Sequence, residues 1–471
     1  MTDCGKFHRI FSKSMYKNLK LPLAEMSFSK DFINEKGGDL YPLICKSDDL
    51  TESVENNRYF VKSGTVERMF CALFPYATYE ISFNTQNGEC GFSFYIPNAK
   101  ATVKLLNETL VFSDNEKEES YKCNGINKNV TLIISCRPSC FDVYFKENDS
   151  VKYIYTFKSE SFAESNSEKN FKNGYVTVLA CGNVEITEVG SYIDCGISQA
   201  DMRPIRYENG DVMVENGKIY LSISIRMQED CFQGIVSWAP GTSEFCLTGA
   251  VFYDSGDGKW SPDVAASILY DRNRKEWLLW VCSFSHGHIL GHSAFNGDPR
   301  FGVNVIDITL MEKGITEDIT DFSAFEGDED PDFYYDEECG KWRLAICRLD
   351  HSIVGYRYIF FESDKPLGDY IYIGKGVDGS EMGGSFVTFK GEKIFACGNA
   401  FDEISDYRIY SKSGMYKAEF DFCDGGFRGW GTIIPIDMGS RKRYFWITFD
   451  RHNGSDFNWS YGNVYCFELV D

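Results

Sequence analysis

Three short acidic segments are placed where carboxyl groups could do chemistry: Ala200-Asp201-Met202-Arg203-Pro204, Glu329-Asp330-Pro331-Asp332 and Glu381-Met382-Gly383-Gly384. Carboxyls brought together can divide the work of acid–base catalysis. One holds its proton near neutral pH because burial or a nearby negative charge raises its pKa, and another stays ionised to activate water. Each segment also has a plain structural explanation. Asp330 precedes a proline, and Asp-Pro is a common turn starter. Glu381 lies among glycines, where no helix is expected, so it is either a solvated loop charge or a site residue. Asp211, in Gly210-Asp211-Val212-Met213-Val214, precedes an alternating run as Asp201 does and competes with it for the same role. Asp263 either lines a pocket and binds substrate hydroxyls or caps a turn.

Three of the six histidines fall in His286-Gly287-His288-Ile289-Leu290-Gly291-His292. In an extended segment, alternate residues share a face, so His286, His288 and His292 have the parity to meet on one side. A zinc-like site, a loop touching substrate and plain structural histidines are the three readings, with His286 the preferred substrate contact. Arg348 and Arg428 are cations able to orient a carboxylate or hydroxyl groups, and both are equally readable as ion-pair residues.

These residues need a scaffold, and the scaffold reads as β-structure. The 471 residues exceed what one hydrophobic core usually serves, which points to two domains. Aromatic residues make up 16%, with 38 Phe and 28 Tyr, a bias towards strands. Short alternating runs occupy 55–194: 78–85, 89–97, 129–136, 139–147, 151–158 and 174–193. They suggest an antiparallel sandwich of jelly-roll or lectin-like type, and the Ser/Glu/Lys/Asn-rich stretch 159–173 reads as a solvated loop. Residues 1–54 read as a lead-in segment. From 195 to 471 longer aromatic strands recur: 217–226, 275–284, 340–349, 391–400 and 442–450. Their starts lie roughly 50–65 residues apart, the spacing of small antiparallel sheets repeated around an axis. The fold class expected is therefore all-β, a five-bladed propeller preceded by a sandwich. In a propeller the first strand of each blade lines the central channel, so residues distant in sequence meet there.

With 48 basic and 70 acidic residues the net charge is -22, which disfavours nucleic acid and anionic membranes as partners. Seventeen scattered cysteines without a CxxC pair, and a start lacking an apolar h-region, suggest a cytoplasmic protein with reduced, mostly buried thiols. No dinucleotide, P-loop, GxSxG or HExxH motif is present.

Four blade-level segments, in order, resemble glycoside hydrolase family 43 and its five-bladed relatives in families 32, 62 and 117. Ala200-Asp201-Met202-Arg203-Pro204-Ile205 resembles the family's Ala-Asp-Pro-x-Val-Ile. Trp260-Ser261-Pro262-Asp263-Val264 resembles Trp-Ala-Pro-Asp-Val. Glu329-Asp330-Pro331-Asp332-Phe333, followed by Gly340-Lys341-Trp342, resembles Ile-Asp-Pro-x-x-Phe and its Gly-Lys-Trp strand. Glu381-Met382-Gly383-Gly384 resembles the Glu-Gly-Pro segment. The resemblance covers about 195–470. It implies a glycosidase that releases a terminal arabinofuranose, xylose, fructofuranose or galactose from oligosaccharides. Asp201 is then the base, Asp330 the pKa modulator and Glu381 the general acid. Asp263, His286, Arg348 and Trp430 are candidate substrate contacts. Inversion is implied, with acid and base roughly 6.5–9.5 Å apart; a retaining pair would stand about 5–5.5 Å apart, with Asp201 the nucleophile. A non-catalytic sugar-binding propeller is the alternative.

Two positions depart from the family pattern. Met202 replaces the proline after the first Asp. The fifth-blade segment Gly429-Trp430-Gly431 lacks the His that many members place near the axis, beside an ion in some. No cofactor or catalytic metal is expected, and a structural calcium or other ion in the channel is compatible with the resemblance. Trp430 is either a sugar-stacking wall or a buried propeller Trp.

Overall fold

A computed structural model describes residues 5–29, 31–33, 40–85, 87–125, 129–311, 325–350, 355–376, 381–399, 407–421, 427–437, 439, 441–450 and 462–470. The chain divides into two compact units. One comprises Met1–Leu19, Cys195–Asp257 and Ser261–Asp471, and the other Lys20–Asp194 and Gly258–Trp260. The segment read as a lead-in, 1–54, is thus shared between them.

The second unit is an all-β sandwich of a seven-stranded and an eight-stranded sheet. Alternation drives it. Along Glu89–Ile96, Cys90, Phe92 and Phe94 face inward and meet Tyr79 and Phe141 from the other sheet. Phe112 and Phe157 extend the same aromatic layer, stacked 5.2 Å apart. The stretch 159–173 departs from the expected solvated loop. It forms two short helical turns that bury Phe162 and Phe171, because its polar composition hides two aromatic anchors. Trp260 belongs to this unit as well. Its ring packs 4.4 Å from Phe171 and 5.3 Å from Phe74.

The first unit is a five-bladed propeller. Blade one runs from Ser198–Pro204 through Lys218–Arg226 and Cys231–Trp238 to Phe245–Asp254. Blade two holds Val264–Asp271, Glu276–Ser283 and Ile289–Phe295, and blade three Phe325–Asp336, Lys341–Asp350, Gly355–Ser363 and Ile371–Lys375. Blade four holds Glu381–Phe389, Glu392–Asn399, Tyr407–Ser411 and Gly414–Lys417. Blade five holds Phe427–Asp437, Lys442–Asp450 and Val464–Val470, and Lys6–Lys13 from the start of the chain completes it. The five aromatic runs read from the sequence are the second strand of each blade. They read as near-continuous apolar stretches because neighbouring blades cover both faces. In Lys218–Arg226, every residue from Ile219 to Ile225 is buried. Apolar clusters fill the seams: Ile205, Ile235, Val251, Ile268 and Leu279 between blades one and two, and Leu269, Trp280, Phe333 and Leu344 between two and three.

Candidate active site

The acidic segments form the innermost strand of their blades, and each strand is interrupted at the same place. Pairing with the second strand breaks between Ala200 and Arg203 in blade one, Val264 and Ser267 in blade two, Glu329 and Asp332 in blade three, and Met382 and Ser385 in blade four. The first bulged residue of each is left-handed: Asp201 at φ 52°, Ala265 at 59°, Asp330 at 47° and Gly383 at 60°. A bulge turns side chains out of the pleat and re-aims them. Asp and Gly tolerate the left-handed region better than most residues, which suits three of the four positions. Asp201 and Asp330 therefore occupy equivalent positions on blades one and three.

One buried cation ties these bulges together. Arg203 donates from Nη1 to the Ala265 carbonyl at 3.3 Å and to the Pro331 carbonyl, and from Nη2 to the Asp330 carbonyl at 3.2 Å. Its guanidinium lies 4.0 Å from the Asp330 carboxylate. A second buried pair, Arg206 with Asp332, also takes in Ser267, and the Phe386 amide donates to Asp332 Oδ2 at 2.6 Å.

The bulges open on a pocket of about 830 Å³. Its acidic lining comprises Asp201, Glu229, Asp230, Asp263, Glu329 and Asp330, and Arg226 and His288 line it as well. Both Glu329 and Asp330 reach this pocket although they are consecutive, because the bulge cancels the usual strand alternation. Asp330 is 5% exposed and accepts from the Gly383 amide at 3.2 Å. Burial, and then the charge of Asp201, push its carboxyl up to about 7.

The other expected residues divide. Asp263 lines the pocket, but its carboxylate is already occupied. It accepts from the hydroxyls of Ser261 at 2.8 Å, Ser283 at 2.7 Å and Ser285 at 2.6 Å. Glu381 is fully buried, two residues ahead of the Gly383 bulge, the register held by Asp263 in blade two. It accepts from the Tyr358 amide at 3.2 Å and the Tyr410 hydroxyl, with Arg408 at 3.5 Å. Burial pushes its carboxyl up to about 7 against the lowering effect of the Tyr358 amide and Arg408. The neighbouring Met382, not Glu381, lines the pocket. Asp211 sits in an exposed turn, bonded to Asn209, apart from the pocket.

The histidines do not share a face. Phe284–His286 form a short 3-10 turn, and Gly287 and His288 are left-handed, which breaks the extended parity. His286 hydrogen-bonds to Ser283 at 2.8 Å and Ser255 at 3.2 Å, and His292 packs on Trp280. His288, and not His286, lines the pocket, and it bonds through Nδ1 to Glu329 Oε1 at 3.2 Å. That bond raises the His288 pKa. Arg348 is ion-paired with Asp328 at 3.3 Å and lines an adjoining recess. Trp430 lies on Phe427–Asp437, but its side chain, like that of Arg428, is outside the described residues. Among the described residues no three His, Cys, Asp or Glu side chains form a group able to hold a metal ion. Sequence reasoning missed Glu329 as a site residue. Its signal was adjacency to Asp330, which counts only once the bulge is known.

No family model and no curated protein matches the chain. Solved structures are distantly similar in fold. A family 117 glycoside hydrolase of Zobellia galactanivorans has 12% identity over 57% of this chain and 84% of its own, with a TM-score of 0.39. The family 62 α-L-arabinofuranosidase of Podospora anserina has 10% identity over 58% and 91%, also at 0.39. Carbohydrate-binding module 66 of Bacillus subtilis has 12% identity over 32% and 95%, at 0.25. Likenesses this distant carry no argument about activity, which has to come from the site.

Proposed function

We propose that the propeller is a glycosidase that releases one terminal sugar from a neutral oligosaccharide, with inversion, within the cytoplasm. One observation carries the reading. Asp201 and Asp330 stand at equivalent bulges and line one pocket, and burial beside Asp201 pushes the Asp330 carboxyl up to about 7. In the reaction, Asp201 takes a proton from water as the water oxygen bonds to the anomeric carbon. The bond to the leaving oxygen breaks, and that oxygen receives a proton from a carboxylic acid. Glu381 and Asp330 both have the proton affinity for this task, and of the two only Asp330 lines the pocket. For Glu381 to act as the acid it must leave its bond with Tyr410 and reach past Met382 to the leaving oxygen.

The test is a panel of aryl glycosides and short oligosaccharides of arabinofuranose, xylose, fructofuranose and galactose, run with Asp201→Asn, Asp330→Asn and Glu381→Gln. One sugar is expected to be released, with turnover falling about 10²–10⁴-fold in each variant. Loss in Glu381→Gln should be greatest on poor leaving groups. If Asp330→Asn shows that dependence instead, the acid is Asp330. Activity untouched in all three variants would remove the reading.

The enclosure of Glu381 by Tyr410, Arg408 and Tyr358 favours a second reading, a propeller that binds sugar without turnover. Sugar affinity that survives Asp201→Asn and Glu381→Gln, with no product from the parent protein, would establish it.

A further inference from the structure

The pocket does not end at the bulges. A recess of about 520 Å³, lined by Gly287, Gly327, Arg348 and Leu349, adjoins it, and the two cavities share Glu329, His288 and Tyr356. Each falls within the roughly 300–1,000 Å³ of small-molecule sites, so neither is a mere crevice beside the other.

The shared wall is built with care. His288 is tied to blade three twice: its Nδ1 bonds to Glu329 at 3.2 Å, and its carbonyl accepts from the Asp328 amide at 2.8 Å. Gly327, at φ 63°, makes the approach feasible, because a Cβ there would lie 3.0 Å from the His288 Cβ. Nδ1 is committed to Glu329, and a carboxylate has further lone pairs beyond the one His288 occupies. Glu329 can therefore accept from sugar hydroxyls, and Tyr356 lends an aromatic surface to both cavities.

We propose that this wall marks where a bound oligosaccharide passes from one cavity to the next. The terminal sugar lies against Asp201 and Asp330, the second sugar occupies the recess beside Arg348 and Leu349, and the Glu329 carboxylate, positioned by His288, accepts hydrogen bonds from hydroxyls of the second unit. The preferred substrate class is then a neutral chain of two or more sugars, and a single sugar on a small aglycone leaves half of the site empty. This inference rests on the glycosidase reading for its orientation, but the second subsite stands or falls by binding alone.

The experiment titrates sugars of one, two and three units into the Asp330→Asn protein by calorimetry. The probes are xylo-, arabino-, inulin-type fructo- and galacto-oligosaccharides. Turnover of the same series by the parent protein is measured in parallel. Tyr356→Ala and Glu329→Gln are each added to the Asp330→Asn background, and thermal unfolding checks that they fold. Affinity should rise at least about tenfold from one unit to two, and both added substitutions should remove most of that rise. In turnover, Glu329→Gln should raise KM for two-unit substrates more than for aryl monoglycosides. A rise with length that disappears in the variants, without turnover by the parent, would sink the glycosidase reading and keep the subsite. Turnover with affinity indifferent to length, or a rise unchanged in both folded variants, would overturn the subsite and leave the glycosidase reading standing. Absence of both turnover and sugar binding would overturn both.

Discussion

At the scale of single residues, two buried carboxyls share a proton affinity far from that of ordinary acids. Asp330 and Glu381 are both pushed up to about 7, chiefly by burial. In the unfolded chain such groups titrate near 4. The folded protein therefore holds their protons over the window from about 4 to about 7, and this contribution to stability is full below the unfolded value and lost as pH rises through the folded one. The thermal midpoint should fall as pH is raised from 5 to 8, and the fall should shrink in Asp330→Asn and again in Glu381→Gln, whose side chains carry no charge to bury. A midpoint that declines equally in the parent and both variants would mean these groups titrate normally. The same proton governs the proposed chemistry, so activity should decline above about pH 7 on the side where the acid is lost.

At the scale of strands, the bulge is the element that makes a site out of scattered acids, and it was not legible in the sequence. The five second strands were, because their aromatic runs are long and each is buried on both faces. Lys341–Asp350 and Lys442–Asp450 needed little more than their composition. The innermost strands were visible only as acidic motifs, and the direction of each acid depended on a left-handed residue that leaves no mark in the sequence beyond an Asp or a Gly. The bulges therefore decide the lining: Asp201 and Asp330 reach the pocket, Glu329 reaches it beside Asp330, and Met382 rather than Glu381 lines it in blade four. The histidine run shows the same limit, since one 3-10 turn undid its parity. Arg203 holds the bulges through three main-chain carbonyls, so Arg203→Met should leave them buried and unpaired. We expect a loss of about 3–5 kcal/mol in denaturant unfolding, typical of removing one partner from a buried charged network. The Asp330 carboxyl, which Arg203 pulls down, should also move to a still higher pKa, measurable from the pH profile of activity. A stable Arg203→Met protein with an unchanged profile would show that the bulges hold themselves.

At the scale of the whole molecule, the propeller ring depends on joining the two ends of its chain. Lys6–Lys13 runs antiparallel to Val464–Val470 as the fourth strand of blade five, with only the two-residue strand Glu419–Phe420 beyond it. Phe7 is fully buried there, 5.0 Å from Phe420 and 5.5 Å from Trp446, in a cluster that also holds Val387, Phe389 and Tyr407 of blade four. A segment nearly two hundred residues from the rest of its unit in sequence thus closes both a blade and the seam beside it. Phe7→Ala removes a core ring and should cost about 3–5 kcal/mol. Deleting residues 1–13 goes further: it strips the hydrogen-bonding partner from Val464–Val470 and leaves an exposed strand edge, which favours association between molecules. The deleted protein should unfold at a lower temperature and sediment partly as larger species than the intact chain, and a synthetic peptide of residues 5–13 should reverse that association and raise the midpoint in proportion to its occupancy. The pocket is lined mainly from blades one, two and three, with Met382 from blade four, and not by the terminal strand, so sugar binding by the peptide-restored protein should match that of the intact chain. If the deletion leaves the midpoint unchanged, the ring is held by the packing between its blades and the terminal strand is dispensable.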